Sequence, residues 1–390
     1  MSQYRTQNRT ILMGVETAPG IDPGLAPATH ALTGINPSWS GGPETLANDD
    51  EVTGALDTGM AVTGGGGAGF SLTVNLKGSG TAGQAPEFGA ALRAAGLAET
   101  LTATDITGTA QGGGASSMTL HAGASSMDDA YKGMVIETTA GTGAGQTRVV
   151  LDYAGAGRLA TVYPDWTTVP DATTEFAIRA NAHYVSTSTA LKTAAIHDYM
   201  HRADGGFSRL RKLLGAAANM QVTLPVRGKP QASFTFQGKF VKPTDVAKPA
   251  APVLDTTLFM PVMAVDCAFG GVVTKFNQIT FDLGNQLAQA DDPADPFGID
   301  VAGITKRAIT GRINPPLELL SVRDAWQMML DGSEERLWLR WGTTPGNRIS
   351  ILFPRIRFQG PETEDVNGFG HEGIPFAALG EDDGVHICFY

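Results

Sequence analysis

The stretch QASFTFQGKFVKPTD, Gln231 to Asp245, alternates with a period of two: Phe234, Phe236 and Phe240 fall on one face, and Ser233, Thr235, Gln237 and Lys239 on the other. Successive strand side chains point to opposite sides of a sheet, so this pattern predicts a strand with one buried and one wet face. The rest of the chain has the same texture. Charged residues make up only 17% of 390 residues, and 49 glycines and 22 prolines break short runs of Val, Thr and Phe. That composition favours many short strands joined by tight turns.

Upstream, GFSLTVNLKG (69–78) places Phe70, Leu72, Val74 and Leu76 on one face of a half-buried strand. A helix is expected from Pro86 to Gly96, with Phe88, Ala91, Leu92 and Ala95 as its apolar stripe. Downstream of about residue 248 the plan repeats. NQITFDLGN leads into an acidic loop, QLAQADDPADPFGIDVAG, and then into a strand, ITKRAITGRI. A helix follows, with Ser321 and Asp324 in capping-box spacing and Val322, Trp326, Met329 and Leu330 along one side. NRISILFPRIRFQGPETED (347–365) then echoes the opening stretch in shape and position. Two copies of one fold is the economical reading.

Between 117 and 181 short apolar runs are cut by Gly and Pro turns around a single large anchor, Trp166, which predicts a small inserted β module. The expected domains are therefore 1–116 and 182–247 as the two parts of a first unit, 117–181 as the insertion, and 248–390 as a second unit. PSWSGGPETLANDDEVTGALDTG (37–59) is long for a connection and is expected to be a functional or mobile loop.

Motifs that suggest chemistry carry structural explanations. Gly78, Gly80 and Gly83 have GxGxxG spacing, but a dinucleotide-binding strand is apolar on both faces, whereas Thr73, Asn75 and Lys77 give this one a wet face. Glu87 also stands in the first turn of the expected helix, where a pyrophosphate would sit. GTGAGQ (141–146) lacks the Lys-Ser/Thr of a P-loop and reads as a hairpin turn. His197 and His201 have zincin spacing, but the Asp204-Gly205 turn and the alternation of Ile196 and Met200 predict half-exposed histidines on a strand, where ~13 Å separates the two rings. No G-x-S-x-G elbow is present, and the acidic clusters lie in Gly/Pro-rich loops without the aromatic neighbours that would stack a sugar. No catalytic, cofactor or metal residue is expected.

A net charge of -11 opposes tight binding to nucleic acid or anionic membranes. Cys267 and Cys388 are too few for a disulfide framework, and the longest apolar stretch, Leu258 to Val265, contains Pro261 and cannot span a bilayer. A soluble chain made in a reducing cytoplasm is expected, without a membrane partner.

Six stretches, taken in order, resemble major tail tube proteins of long-tailed (siphovirus-type) bacteriophages. They are ILMGVETAPGIDPGLAPATHAL, LTVNLKGSGTAGQAPEFGAALRAAGLAETLTA, ASFTFQGKFVKPTDVAKP, ITFDLGNQ, TTPGNRISILFPRI and PFAALGEDDGVHICFY, and they are spread along the chain on both sides of 117–181. The resemblance implies a mainly β fold of two tandem sandwich or barrel domains, each with a flanking helix. It further implies polymerisation into stacked rings, a channel through which DNA passes transiently, and no enzymatic activity. Single-copy relatives build six-membered rings, so two copies per chain imply rings of three. The implied partners are other copies of the chain, a tape measure protein, a tail terminator and a distal tail protein, and the implied location is the virion tail, assembled in the host cytoplasm. Asp49, Asp50, Glu51, Asp291, Asp292 and Asp295 are the candidate lumen or ring-stacking residues, with Lys306, Arg307 or Arg312 as partners wherever acids meet a neighbouring ring. The loops at 35–60 and 284–303 are expected to order only against such a neighbour. A distal-tail or capping ring, or a carbohydrate-binding or depolymerising tail protein acting through the inserted module, are the rival readings.

Overall fold

The alternating stretch forms the C-terminal arm of the longest ladder in the molecule, strand Gln231–Ala247 paired antiparallel with Phe207–Pro225. This computed structural model describes residues 3–48, 52, 56, 57 and 59–390. Phe234 and Phe236 are buried while Ser233 and Thr235 are exposed, as the period requires. The ladder is bulged near Gly215, which has φ +58° and on which a Cβ would lie 2.5 Å from Val301. Only glycine combines that conformation with so close a neighbour.

The fold is mainly β, antiparallel and of sandwich type, and strand Phe207–Pro225 is its spine. Its first half also pairs with Ala194–Arg202, which pairs in turn with Tyr4–Val15. Its second half pairs with Gln278–Asp282. From there a ladder runs through Thr310–Ile313, Phe369–Ala378, Ile349–Phe358 and His386–Phe389 back to Asn181–Ser186 and Leu97–Thr102. Strands from both halves of the chain thus share hydrogen bonds, and one apolar core takes in residues from Ile11 to Phe389.

Helix Gly89–Ala94 packs on that core through Phe88, Ala91, Leu92 and Ala95, all buried, and Gly96 at φ +77° ends it. It starts at Gly89 rather than Pro86, because Pro86 is taken up in a turn closed by the Gly89 amide. Helix Ala325–Asp331 is capped by Asp324, whose carboxylate accepts the Gln327 amide 2.9 Å away, and Ser321 takes no part. Of its expected apolar stripe only Met329 packs against the core; Val322, Trp326 and Leu330 are 53%, 49% and 74% exposed.

Two expected loops contain strands. Ile35–Gly41 pairs with Ala68–Asn75, and Trp39 anchors it there, its ring tilted against Phe70 at 5.1 Å and its indole N–H donated to Asp198. The acidic stretch after Asn285 is a hairpin, Gln286–Asp291 with Ile299–Lys306, already ordered within one chain.

A separate seven-stranded sheet joins Ile106–Thr109, Glu175–Ile178, Val135–Ala140, Thr147–Ala154, Leu159–Tyr163, Ser117–Thr119 and Gly112–Gly114 in that order. It begins upstream of residue 117 because Ile106–Thr109 pairs with Glu175–Ile178. Trp166 is buried in its own core with Met118, Tyr153 and Phe176. GTGAGQ is the turn between Val135–Ala140 and Thr147–Ala154. The sheet packs on the main body, Val149 and Tyr163 against Trp338 and Leu352, and Val135 against Cys388 and Tyr390.

Candidate functional site

The acids singled out in the sequence fall into two groups. Asp49, Asp50 and Glu51 lie outside the described residues. Asp291, Asp292 and Asp295 stand together where the Gln286–Lys306 hairpin turns. Asp291 is exposed, and Asp292 accepts the Ala294 amide at 2.9 Å. Asp295 accepts the Phe297 amide at 2.8 Å and meets Lys239 Nζ at 3.1 Å. That amide and that ammonium hold its carboxyl below the usual carboxylate range. Phe297 packs edge-on against Phe240 at 5.2 Å, which anchors the turn on the long ladder. The Phe297 carbonyl also accepts the Gly66 amide, so the turn touches the base of the 43–66 segment.

Of the expected basic partners, two are committed within the chain. Arg307 reaches Asn285 Oδ1 (2.9 Å) and the carbonyls of Gly96 (2.9 Å) and Thr187 (3.2 Å). Arg312 bridges Glu362 and Glu364. Lys306 is exposed.

The GxGxxG glycines serve backbone packing. A Cβ on Gly78 would meet the Gly346 carbonyl at 2.0 Å, the Gly78 amide donates to Asn347 Oδ1 at 2.8 Å, and Gly80 N–H donates to Gly346 O at 3.1 Å. Glu87 is paired with Lys77 at 3.2 Å. These glycines seat the first half of the chain against a turn of the second.

His197 and His201 lie on strand Ala194–Arg202 but are buried, contrary to the half-exposed expectation, because the segment carrying Asp22 lies against His197 and side chains of the two paired strands enclose His201. They have different partners. His197 Nε2 is 3.1 Å from Asp22, which also holds Lys212, whereas His201 lies between Thr10 (2.9 Å) and Ser208 (2.7 Å). Burial pushes both imidazoles below their ordinary pKa.

Sequence reading missed a buried chain of polar groups at the junction of the seven-stranded sheet and the body. His183 Nε2 lies 3.0 Å from His386 Nδ1, His386 Nε2 is 2.6 Å from Asp383, and Asp383 meets Lys132 at 3.1 Å. These residues are far apart in sequence, so no local pattern announces them. Burial, and then the neighbouring imidazole, push His183 down to about 3. A Cβ on Gly133 would lie 2.3 Å from His386, so only glycine lets the inserted sheet seat there.

A surface cleft of about 620 Å³ is lined by Thr6, Arg9, Leu32, Pro37 and Leu254, and Arg9 is already held by Asp198 through two hydrogen bonds. Burial raises both cysteine thiols to about 12, out of the reactive range. Among the described residues, no group of three or more His, Cys, Asp or Glu side chains is placed to hold a metal ion, and no helix is long and apolar enough to cross a membrane.

The fold and its polar clusters thus define a β-sandwich-type protein whose polar side chains tie strand to strand. The chain belongs to the phage tail tube protein family, whose family model matches residues 6–378. It is thus a structural component of the bacteriophage tail, in agreement with the resemblance seen in the sequence. No curated protein matches the chain.

Proposed function

We propose that the chain polymerises into stacked rings that form the tail tube and enclose a channel for DNA. The observation that carries this reading is the family match, which runs through both halves of the chain and across the inserted sheet. Three chains per ring would supply six fold copies, one for each position of a pseudo-sixfold ring. Assembly would take place in the host cytoplasm, with a tape measure protein inside the tube, a terminator at one end and a distal tail protein at the other. Asp291, Asp292 and Asp295 would face the lumen or the next ring, together with Asp49, Asp50 and Glu51. The inserted sheet would face outward, where an addition of that size does not obstruct a channel. Negative-stain imaging of the purified, concentrated protein tests the reading. Tubes or stacked rings are expected; a chain that stays monomeric at high concentration rejects it.

A further inference from the structure

Helices Gly89–Ala94 and Ala325–Asp331 are treated differently. Helix Gly89–Ala94 is covered by Tyr4–Val15, Leu97–Thr102, Ala194–Arg202 and Phe207–Pro225. Helix Ala325–Asp331 rests chiefly on Ile349–Phe358 and turns its other side to solvent. That side is apolar and continuous with its surroundings. Leu319, Leu320, Trp326, Leu330 and Phe369 are 75%, 65%, 49%, 74% and 73% exposed. The segment before the helix is hydrogen-bonded to the hairpin that carries Phe369, Leu317 N–H to Gly370 O at 3.0 Å and Glu372 N–H to Pro315 O at 2.9 Å. Contiguous bare apolar surface of this kind marks an interaction site. Its rim carries four exposed acids, Asp331 and Asp365 together with Glu318 and Glu334, the last two paired with Arg323 (3.0 Å) and Arg357 (3.6 Å).

A surface of the opposite sign lies at the far ends of the long strands. Arg5, Arg209, Lys242 and Lys248 are exposed there and outnumber the exposed acids Asp204 and Asp245, beside Phe207 at 55%. The register brings them together: Tyr4 lies opposite Arg202, Met200 opposite Arg209, and Phe207 opposite Ala247, while the Arg209 guanidinium lies over the Tyr4 ring at 5.5 Å. A chain of net charge -11 thus gathers bases at one strand end. Among the described residues no ion pair joins this basic patch to the acidic rim within one chain.

We propose that these two surfaces form a head-to-tail joint between copies of the chain, in which the apolar, acid-rimmed face of helix Ala325–Asp331 receives the basic strand ends and Phe207 of a neighbour. The joint rests on the tube reading and adds to it the faces that meet. Two different patches make a heterologous contact, which closes into a ring when its rotation allows. Apolar burial supplies the attraction, and the opposed charges set orientation and exclude like-with-like contact.

The test is charge reversal on each side and then on both, in the full chain. Lys242→Glu with Lys248→Glu, or Asp331→Lys with Glu334→Lys, should each lower the polymerised fraction at least tenfold at low salt, with Tm unchanged. All four together should restore assembly, because every joint then carries a reversed but matched pair. Trp326→Ser should weaken assembly without altering its salt dependence. Reversal variants that polymerise like wild type, or a fourfold variant that is not rescued, overturn the joint while leaving wild-type tubes, and the tube reading, intact. Failure of the wild-type chain itself to assemble overturns both. Salt-sensitive retention of duplex DNA that disappears in the Lys242/Lys248 variant, with assembly unaffected, would instead assign the basic patch to nucleic acid and overturn the joint.

Discussion

Asp198 shows how single residues hold the long strands in place. Its carboxylate is buried, receives two hydrogen bonds from Arg9 (2.8 and 2.5 Å) and accepts the Trp39 indole N–H at 2.7 Å. It thereby links Tyr4–Val15, Ala194–Arg202 and Ile35–Gly41. Asp198→Ala leaves Arg9 as a largely buried cation without its partner and is expected to cost about 3–5 kcal/mol, read as a lower urea midpoint at unchanged m. A loss below about 1 kcal/mol would show that the triad contributes nothing specific. His183 makes a second residue-scale case. The fold keeps its imidazole neutral down to about pH 3, whereas an unfolded histidine takes up a proton below about pH 6.5. The unfolded state therefore binds more protons across that window, and stability falls as pH falls, by about 1.4 kcal/mol per pH unit from this group. His197 and His201 are shifted in the same direction and steepen the wild-type profile. His183→Gln can still hydrogen-bond His386 and should remove about 2 kcal/mol of the loss between pH 7 and pH 5. Equal slopes for variant and wild type in urea titrations at the two pH values would refute this.

Among the elements, the seven-stranded sheet is the most separable. Its first and last strands pair with each other, Ile106 opposite Ile178, and it has its own core around Trp166. Replacing residues 106–178 with a short Gly/Ser linker is expected to leave a folded chain that still polymerises. The variant should also be less stable, because Trp338, Leu352 and Tyr390 lose the cover of Val149, Tyr163 and Val135, and the Lys132–Asp383 and Arg348–Glu137 ion pairs are lost. Circular dichroism and negative-stain imaging check the two halves of this prediction; soluble, folded protein that forms no tubes would show that the sheet belongs to the assembly joint. Gly96, just past helix Gly89–Ala94, gives a sharper element-scale test. At φ +77° and with Arg307 Nη2 2.1 Å from where a Cβ would stand, Gly96→Val should cost more than the ~1 kcal/mol of an ordinary C-cap substitution. Thermal unfolding measures it.

For the whole molecule, the proposed tube would have to let DNA pass without stalling, and each phosphate held by Lys or Arg adds affinity through counterion release. The channel wall is therefore expected to be electronegative, consistent with the net charge of -11, with the exposed bases of the strand ends consumed at joints between copies. A reconstruction of assembled tubes with three chains per ring, and acids on the lumen side, is the expected outcome. Six chains per ring would reject the threefold arrangement. A continuous ring of unpaired Lys or Arg at the narrowest point, or salt-sensitive sub-micromolar DNA binding by open tubes, would reject the charge argument.

Much of the fold was legible because it depends on local periodicity. The alternation of Phe234 and Phe236, the burial pattern of Ala68–Asn75, the stripe of helix Gly89–Ala94 and the Gly-rich hairpin turn of 141–146 are all consequences of neighbouring side chains and φ/ψ preferences, which a linear sequence contains. The family is legible for a related reason, since motif order survives in the chain itself. Pairing partners are not local. That Phe207–Pro225 serves both halves as a spine, that Gly78 seats against Gly346, and that His183 meets His386 across 203 positions were decided only when the strands packed. The same holds for what is left uncovered. The spacing of Val322, Trp326 and Leu330 predicts one apolar face, but whether that face meets a core or solvent depends on which strands lie over it, and in this chain none of the described strands does.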